Sequence, residues 1–190
     1  MSRLLLCAAA SFLIVSSSYD SAKRFVYVGL YNTSTDAGTF DSAGYAETSV
    51  LIYDVDGRTG ELTQRSRVAA GLNASWIAAH PSGRFVYIVS EVQLYEGRAV
   101  GSVAAFAVDE RTGMLTFVNR VPTGHPQPVF AEVDASGRYL LVATYAPGVL
   151  EVFDLQQDGR LREGPAQAIS QGQGTHCARF DGSGQHVLSA

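Results

Sequence analysis

The chain has 190 residues, of which 46% are hydrophobic and 17% charged, and its formal net charge is −4. This length and apolar content allow a single domain with a sizeable core, and the charged residues form no basic stripe that would indicate a nucleic-acid-binding protein. Nineteen glycines, nine tyrosines and nine phenylalanines are typical of many short strands joined by tight turns.

The first 18 residues have the composition of a secretory signal peptide. Arg3 supplies a positive charge near the N-terminus. Residues 4–15 (LLLCAAASFLIV) form an apolar run, and residues 16–18 are three small serines. The alternative interpretation is a buried first strand or helix. The apolar run is too short for a bilayer, which requires about 20 residues. We therefore predict a signal peptide over residues 1–18, a mature domain over residues 19–190, a secreted or periplasmic location, and no membrane span.

A hairpin pattern in residues 74–92 recurs along the chain. It predicts a short strand at Trp76–Ala79, a tight turn at residues 81–83 and a longer strand at residues 84–92. Proline pre-sets the first position of such a turn, and glycine tolerates the positive φ that the reversal needs. The same hairpin recurs at residues 130–146 and 177–190, and its second half alone is found at residues 23–31.

A second motif alternates with the hairpin and consists of a strand, a polar turn and another strand. It occurs at residues 50–63 (VLIYDVDGRTGELT) and 103–116 (VAAFAVDERTGMLT), and in shortened form at residues 150–161. Each turn contains an aspartate that we expect to accept backbone N–H groups, namely Asp56, Asp109 and Asp158. Four strands in roughly fifty residues is the period of a β-propeller blade.

The two motifs together predict an all-β fold, a β-propeller of four-stranded antiparallel blades. The chain accommodates about three and a half blades, whereas propellers have about four to eight. We therefore interpret residues 19–190 as the N-terminal blades of a longer propeller, truncated at the C-terminus, with C-terminal blades missing. A half-propeller that dimerises is the alternative. Activity is expected of the full-length protein rather than of these blades alone.

The motifs resemble the lactonase family of seven-bladed β-propellers, which includes the propeller-type 6-phosphogluconolactonases and the carboxy-muconate cyclases. The resemblance covers about residues 24–190 and rests on four segments: SWIAAHPSGRFVYIVSEV, GSVAAFAVDERTGMLTFVNRVPTG, VDASGRYLLVATYAPGVLEVFDLQQDGRL and THCARFDGSG. It implies seven blades around a channel, with a small-molecule lactone or sugar acid bound near the channel mouth. The implied reaction is hydrolysis of a sugar lactone such as 6-phosphogluconolactone. A lactone-forming cycloisomerase of the muconate type and a non-catalytic binding scaffold are the alternatives.

Lactone hydrolysis requires a general base for water and a donor for the developing oxyanion. His176 matches the second histidine of a family segment similar to PHAHS, while Gly174 occupies the place of the first. Glu91 follows an apolar strand where the family commonly has an Asn-Glu pair. We predict His176 and Glu91 as catalytic residues, with a hydrogen-bonded structural histidine and a solvent-facing carboxylate as the alternatives.

Three further residues are predicted to bind substrate. Arg179, in an HxxRF run that is similar to the family's, could hold an anionic group or pair with a neighbouring aspartate. Tyr145 could donate to a carbonyl or simply pack. His125 could replace a family histidine, whose place Phe130 occupies, or be a surface loop residue. No metal or other cofactor is predicted, because the remaining histidines lack metal-ligand spacing; they are His80 and His186.

Overall fold

The structure is a computed structural model that describes residues 10–16, 23–31 and 49–190; for residues 10–16 and Lys23 it describes the backbone alone. Within these ranges, fourteen strands form four antiparallel sheets. None of the described segments is a helix that could cross a lipid bilayer.

The first three sheets have four strands each, and strands that are neighbours in the chain pair with each other. The first sheet consists of β1 (Ala10–Ser16), β2 (Lys23–Leu30), β3 (Val50–Asp56) and β4 (Leu62–Val68). The second consists of β5 (Trp76–Ala79), β6 (Phe85–Ser90), β7 (Ser102–Val108) and β8 (Leu115–Pro122). The third consists of β9 (Pro128–Val133), β10 (Tyr139–Thr144), β11 (Val149–Asp154) and β12 (Gln167–Ser170). A two-stranded sheet follows, formed by β13 (Ala178–Phe180) and β14 (Val187–Ser189).

This arrangement confirms the predicted fold of four-stranded antiparallel blades, about three and a half of which are present. The first strand of each sheet contacts the first strand of the next, in the order β1, β5, β9 and β13. These four strands therefore form the inner wall of the array, and the fourth strands lie on its outside.

The strand limits differ from the sequence prediction in two places. The second strand of the second blade ends at Ser90, because the Glu91 N–H donates to the Asn73 carbonyl (3.0 Å) instead of continuing the ladder. In the third blade the shortened motif forms only an isolated bridge between Leu155 and Leu161, and the fourth strand starts at Gln167.

The segment at Ala10–Ser16 pairs with β2 along its whole length, from Ala10 opposite Leu30 to Ser16 opposite Arg24. The signal peptide predicted over residues 1–18 thus includes a blade strand in this structure, and its other residues lie outside the described ranges. Cleavage after residue 18 would leave the first sheet with three strands. The signal peptide itself stays a prediction.

The turns are closed by local hydrogen bonds, as the aspartate spacing predicts. The Asp56 carboxylate accepts the N–H groups of Arg58 and Thr59, both at 2.8 Å, and Asp109 and Asp158 accept equivalent bonds. These donors hold the pKa of the Asp56 carboxyl below its usual value. In the hairpin turn, Gly83 has the expected positive φ of 72°.

Adjacent blades are joined by a tyrosine hydroxyl that repeats from blade to blade. The Tyr27 hydroxyl in β2 donates to the Gly113 carbonyl of the second blade at 2.8 Å, and the Tyr87 hydroxyl in β6 donates to the Gly159 carbonyl of the third at 3.2 Å. Both tyrosines are fully buried, and burial raises the pKa of each hydroxyl. The hydroxyls therefore connect the first blade to a turn of the second, and the second blade to a turn of the third.

The two acceptor glycines also touch an aromatic ring of the preceding blade. A Cβ built on Gly113 would lie 2.5 Å from the ring of Phe25, and one built on Gly159 would lie 2.3 Å from the ring of Phe85. At Gly60, the equivalent turn position of the first blade, no atom of the described residues lies within 4 Å of such a Cβ. These glycines are therefore needed for close blade packing as well as for turn geometry.

Candidate active site

Each second strand ends, and each inner strand begins, on the same face of the array, because strands alternate in direction from the inner wall outwards. We call this face the mouth face. Of the predicted site residues, Glu91 follows β6, Tyr145 follows β10 and His176 precedes β13. The blade repeat therefore brings residues that are far apart in sequence to one face.

The same backbone hydrogen bond recurs in three loops of the mouth face. In each loop, an N–H group just before an inner strand donates to a carbonyl at the end of the second strand of the preceding blade. Each is 3.0 Å long, and they run from Ala74 to Leu30, from Gln127 to Val92 and from Gly174 to Tyr145. Gly174, where the resemblance would place a histidine, thus has a backbone role, and its φ of 89° suits glycine.

Glu91 is half-buried at the mouth face, among groups that can share its proton. Its Oε1 accepts the Tyr31 hydroxyl at 3.4 Å, and its backbone carbonyl accepts the Asn73 side-chain amide at 3.1 Å. Burial raises the pKa of the Glu91 carboxyl, against the opposing effects of the Ser75 and Tyr31 hydroxyls and of positive charge on His176. Glu91 can therefore accept and release a proton at a pH closer to neutral than an exposed glutamate can.

His176 and Tyr145 lie together at the same face. Their rings meet edge to face, with centroids 5.8 Å apart and an interplanar angle of 82°. The backbone N–H of His176 donates to the Ala190 carbonyl at 2.8 Å, and both side chains are exposed. His176 also lies close enough to Glu91 for its charge to act on that carboxyl. We call Glu91, His176 and Tyr145 the mouth cluster: its two rings are in contact, and Glu91 lies on the same face within electrostatic range of His176.

His125 lies in the loop from the outer strand β8 to the inner strand β9, and it pairs with a carboxylate that the sequence analysis did not single out. Its Nδ1 is 2.6 Å from Oε1 of Glu151, and Oε2 of Glu151 accepts the Gly124 N–H at 3.0 Å. Glu151 is fully buried in β11, and burial raises the pKa of its carboxyl against the opposing effect of these donors. The pair joins the second blade to the third.

A signal for Glu151 was present in the sequence, since it is a carboxylate inside the apolar strand segment VLEVF. A carboxylate in such a position is costly to bury without a partner. Its partner His125 could not be identified from the sequence, because it belongs to a different blade. The proposed contact of His125 with substrate stays a prediction.

Arg179 lies on the inner strand β13 and forms an ion pair with Glu132 of the inner strand β9. Its Nη2 is 3.1 Å from Oε1 of Glu132, while Oε2 of Glu132 accepts the Phe180 N–H at 2.9 Å. The structural alternative predicted a neighbouring aspartate as the partner of Arg179, whereas the partner is a glutamate of the adjacent inner strand. Glu132 is an acidic residue in an otherwise apolar strand, PVFAEV, and was not among the predicted site residues.

Comparison with known proteins places the chain among propeller lactonases. The family model described as "Lactonase, 7-bladed beta-propeller" matches residues 25–190. A 6-phosphogluconolactonase of Formosa agariphila is 30% identical over 61% of this chain and 32% of its own length, and one of Bacillus subtilis is 27% identical over 79% and 39%.

The solved structure of a periplasmic gluconolactonase of Pseudomonas aeruginosa superimposes with a TM-score of 0.67 at 25% identity, over 76% of this chain and 43% of that one. The chain spans less than half of the length of these relatives. The blades described above are thus comparable to a part of each relative's propeller.

Proposed function

This chain belongs to the lactonase family of seven-bladed β-propellers, and from that membership we propose that the protein hydrolyses a sugar lactone at its mouth face. The observation that supports this reaction is the cluster of a half-buried carboxyl, Glu91, with His176 and Tyr145. A carboxylate with a raised pKa is suited to deprotonate water at neutral pH. The names of the matched relatives point to the same class of substrate.

In the proposed mechanism, Glu91 takes a proton from water as the water oxygen attacks the lactone carbonyl carbon. The carbonyl oxygen gains negative charge in the tetrahedral intermediate, and the Tyr145 hydroxyl donates a hydrogen bond to it. The bond between the carbonyl carbon and the ring oxygen then breaks, and protonated His176 gives its proton to that oxygen. Glu91 then passes its proton back to His176, so that one water is consumed in total, and the hydroxy acid product releases a proton to the solvent.

The substrate we propose is a six-carbon sugar lactone, either gluconolactone or its 6-phosphate. The test follows proton release from both lactones in the presence of the purified protein, with correction for spontaneous hydrolysis. A rate above background with either lactone supports the proposal. A rate equal to background with both would contradict it and favour a binding scaffold.

The pH dependence of kcat/KM provides a second test of the role of Glu91. A general base must be ionised to act, so kcat/KM should rise with pH through the raised pKa of Glu91 and should have its acidic midpoint above the usual glutamate value of 4.5. The measurement is kcat/KM, which reports the free protein, between about pH 4 and about pH 8. Replacing the exposed Glu96 with glutamine is the control and should leave the midpoint unchanged. A flat profile over this range would contradict the assignment.

We also propose that the protein is exported, on the basis of the charge and apolar pattern of residues 1–18. Intact-mass measurement of the protein from the medium or periplasm should show loss of about these residues. A full-length N-terminus in the folded protein would contradict cleavage. It would then support Ala10–Ser16 as a permanent strand of the first blade.

A further inference from the structure

The inner wall contains a groove of about 260 Å³ below the mouth face. We call it the channel groove, and it is lined by Trp76, Ile77, Ala78, Ala79, Phe130, Ala131, Glu132, Val133 and Arg179. These residues come from three successive inner strands, β5, β9 and β13. Small-molecule pockets typically measure about 300–1000 Å³, so this groove suits a ligand of roughly one sugar ring.

The groove combines an apolar wall with one polar pair. Glu132 and Arg179 are the only charged residues among its lining residues. The Arg179 side chain is 66% exposed and keeps donors that Glu132 does not use, while that of Glu132 is 21% exposed. A donor and an acceptor thus lie side by side on an apolar surface.

The aromatic part of the wall is Trp76, which is partly exposed and lies against the buried ring of Phe130 at a centroid distance of 4.5 Å. Trp76 is paired with Val89 of β6, which precedes Glu91 of the mouth cluster by two residues. The groove therefore begins next to the catalytic cluster and continues down the inner wall. A ligand whose reacting end lies at Glu91 would extend its remaining carbons along Trp76.

We propose that the channel groove binds the hydroxylated carbons of the sugar, with Trp76 against their C–H groups, Glu132 accepting from hydroxyls and Arg179 donating to them. This inference rests on the proposed function and specifies which part of the substrate the groove recognises. Glu132 neutralises Arg179 at 3.1 Å, so the pair favours neutral hydroxyls over a doubly charged phosphate. A site built to hydrogen-bond hydroxyls rejects ligands that lack them.

The test uses gluconate and hexanoate, two six-carbon acids that differ in their hydroxyl groups. Trp76 is the single tryptophan of the chain, so its fluorescence reports binding next to the groove without any need for turnover. Gluconate should change the emission, and hexanoate should bind at least about 10-fold more weakly, because it lacks the hydroxyls that would form hydrogen bonds to the charged groups of Glu132 and Arg179. Equal affinities for the two acids would overturn the proposal.

The variants Glu132→Gln and Arg179→Gln should each raise the Kd of gluconate by about 10-fold or more. Arg138→Gln is the matched control, because Arg138 is exposed beside a hairpin turn on the opposite face, and it should leave the Kd unchanged. Arg179→Lys keeps a cation that can pair with Glu132. It allows the Kd of gluconate to be measured if loss of the ion pair in Arg179→Gln unfolds β13 and β14. Unchanged gluconate affinity in a folded Glu132 variant, or no emission change with gluconate, would also overturn the proposal.

Two combinations separate this proposal from the proposed function. Gluconate binding that depends on Glu132, in a protein that hydrolyses no lactone, would support the groove and contradict the lactonase activity. Lactone hydrolysis that is unaffected in both variants would contradict the groove and leave the activity standing. A third outcome concerns 6-phosphogluconate. If this ligand binds at least about 10-fold more tightly than gluconate, and Arg179→Gln removes the difference, then Arg179 binds a phosphate. That result would overturn the proposed role of Arg179 with hydroxyls.

Discussion

Replacement of Glu91 with glutamine is expected to reduce kcat for lactone hydrolysis by about 100-fold or more. Glutamine keeps the side-chain length and an oxygen that can accept the Tyr31 hydroxyl, but it cannot take a proton from water. The loss should appear in kcat rather than in KM, because deprotonation of water belongs to the transition state. His176→Ala should produce a loss of similar size, since it removes the proton donor for the ring oxygen.

The stability of the Glu91 variant provides a control that separates chemistry from folding. Burial raises the pKa of Glu91, so the favourable contribution of this carboxyl to stability is present below its usual pKa and is lost as pH rises through the raised one. At about pH 7 the glutamine variant should therefore be at least as stable as wild type. The measurements are kcat by proton release and Tm on the same preparation. A folded, fully active variant would contradict the assignment of Glu91 as base, and an unfolded variant would contradict the expected stability.

Replacement of Gly159 with alanine is expected to lower the free energy of unfolding by about 2–5 kcal/mol. Gly159 has a φ of 83°, a conformation that costs a non-glycine residue about 1–2 kcal/mol. The new Cβ would also lie 2.3 Å from the ring of Phe85, which is buried between blades. Relief of such a contact in a packed interface costs about 1–3 kcal/mol more.

The equivalent turn of the first blade supplies a matched control. Gly60 has a φ of 75°, and an added Cβ would meet no atom of the described part of the chain within 4 Å, so Gly60→Ala should cost only about 1–2 kcal/mol for the backbone conformation. Gly113, whose added Cβ would meet Phe25 at 2.5 Å, should behave like Gly159. Urea unfolding of the three variants measures the differences. Equal losses at Gly60 and Gly159 would show that blade contact contributes nothing at this turn.

The proposed site shows how a repeat architecture can bring side chains of different blades to one face. Glu91, Tyr145 and His176 lie in three successive blades, and each sits at a loop whose backbone is held by a hydrogen bond to the neighbouring blade. The second and third blades are further joined by the buried Glu151 and His125. A rigid array of this kind can hold catalytic side chains in place without long loops of its own.

The sequence by itself determined the features that depend on near neighbours in the chain. Strand Trp76–Ala79, the positive φ of Gly83 and the capping by Asp56 follow from hydrogen bonds and steric limits within a few residues, and each could be predicted. The alternation of strands and turns also predicted the blade order, because each blade repeats the same local pattern. The cluster of Glu91 with His176 could be anticipated only through the repeat and the family resemblance.

The tertiary structure alone decided the contacts between blades. Tyr87 donates to a carbonyl 72 residues away, Arg179 pairs with an acid 47 residues before it, and Glu151 pairs with a histidine of another blade. No local pattern identifies such partners, because the free energy of an ion pair or a buried hydrogen bond depends on which groups the fold brings within about 3 Å. A polar residue in an apolar strand shows that a partner is needed, and only the packing of one blade on the next shows which residue it is.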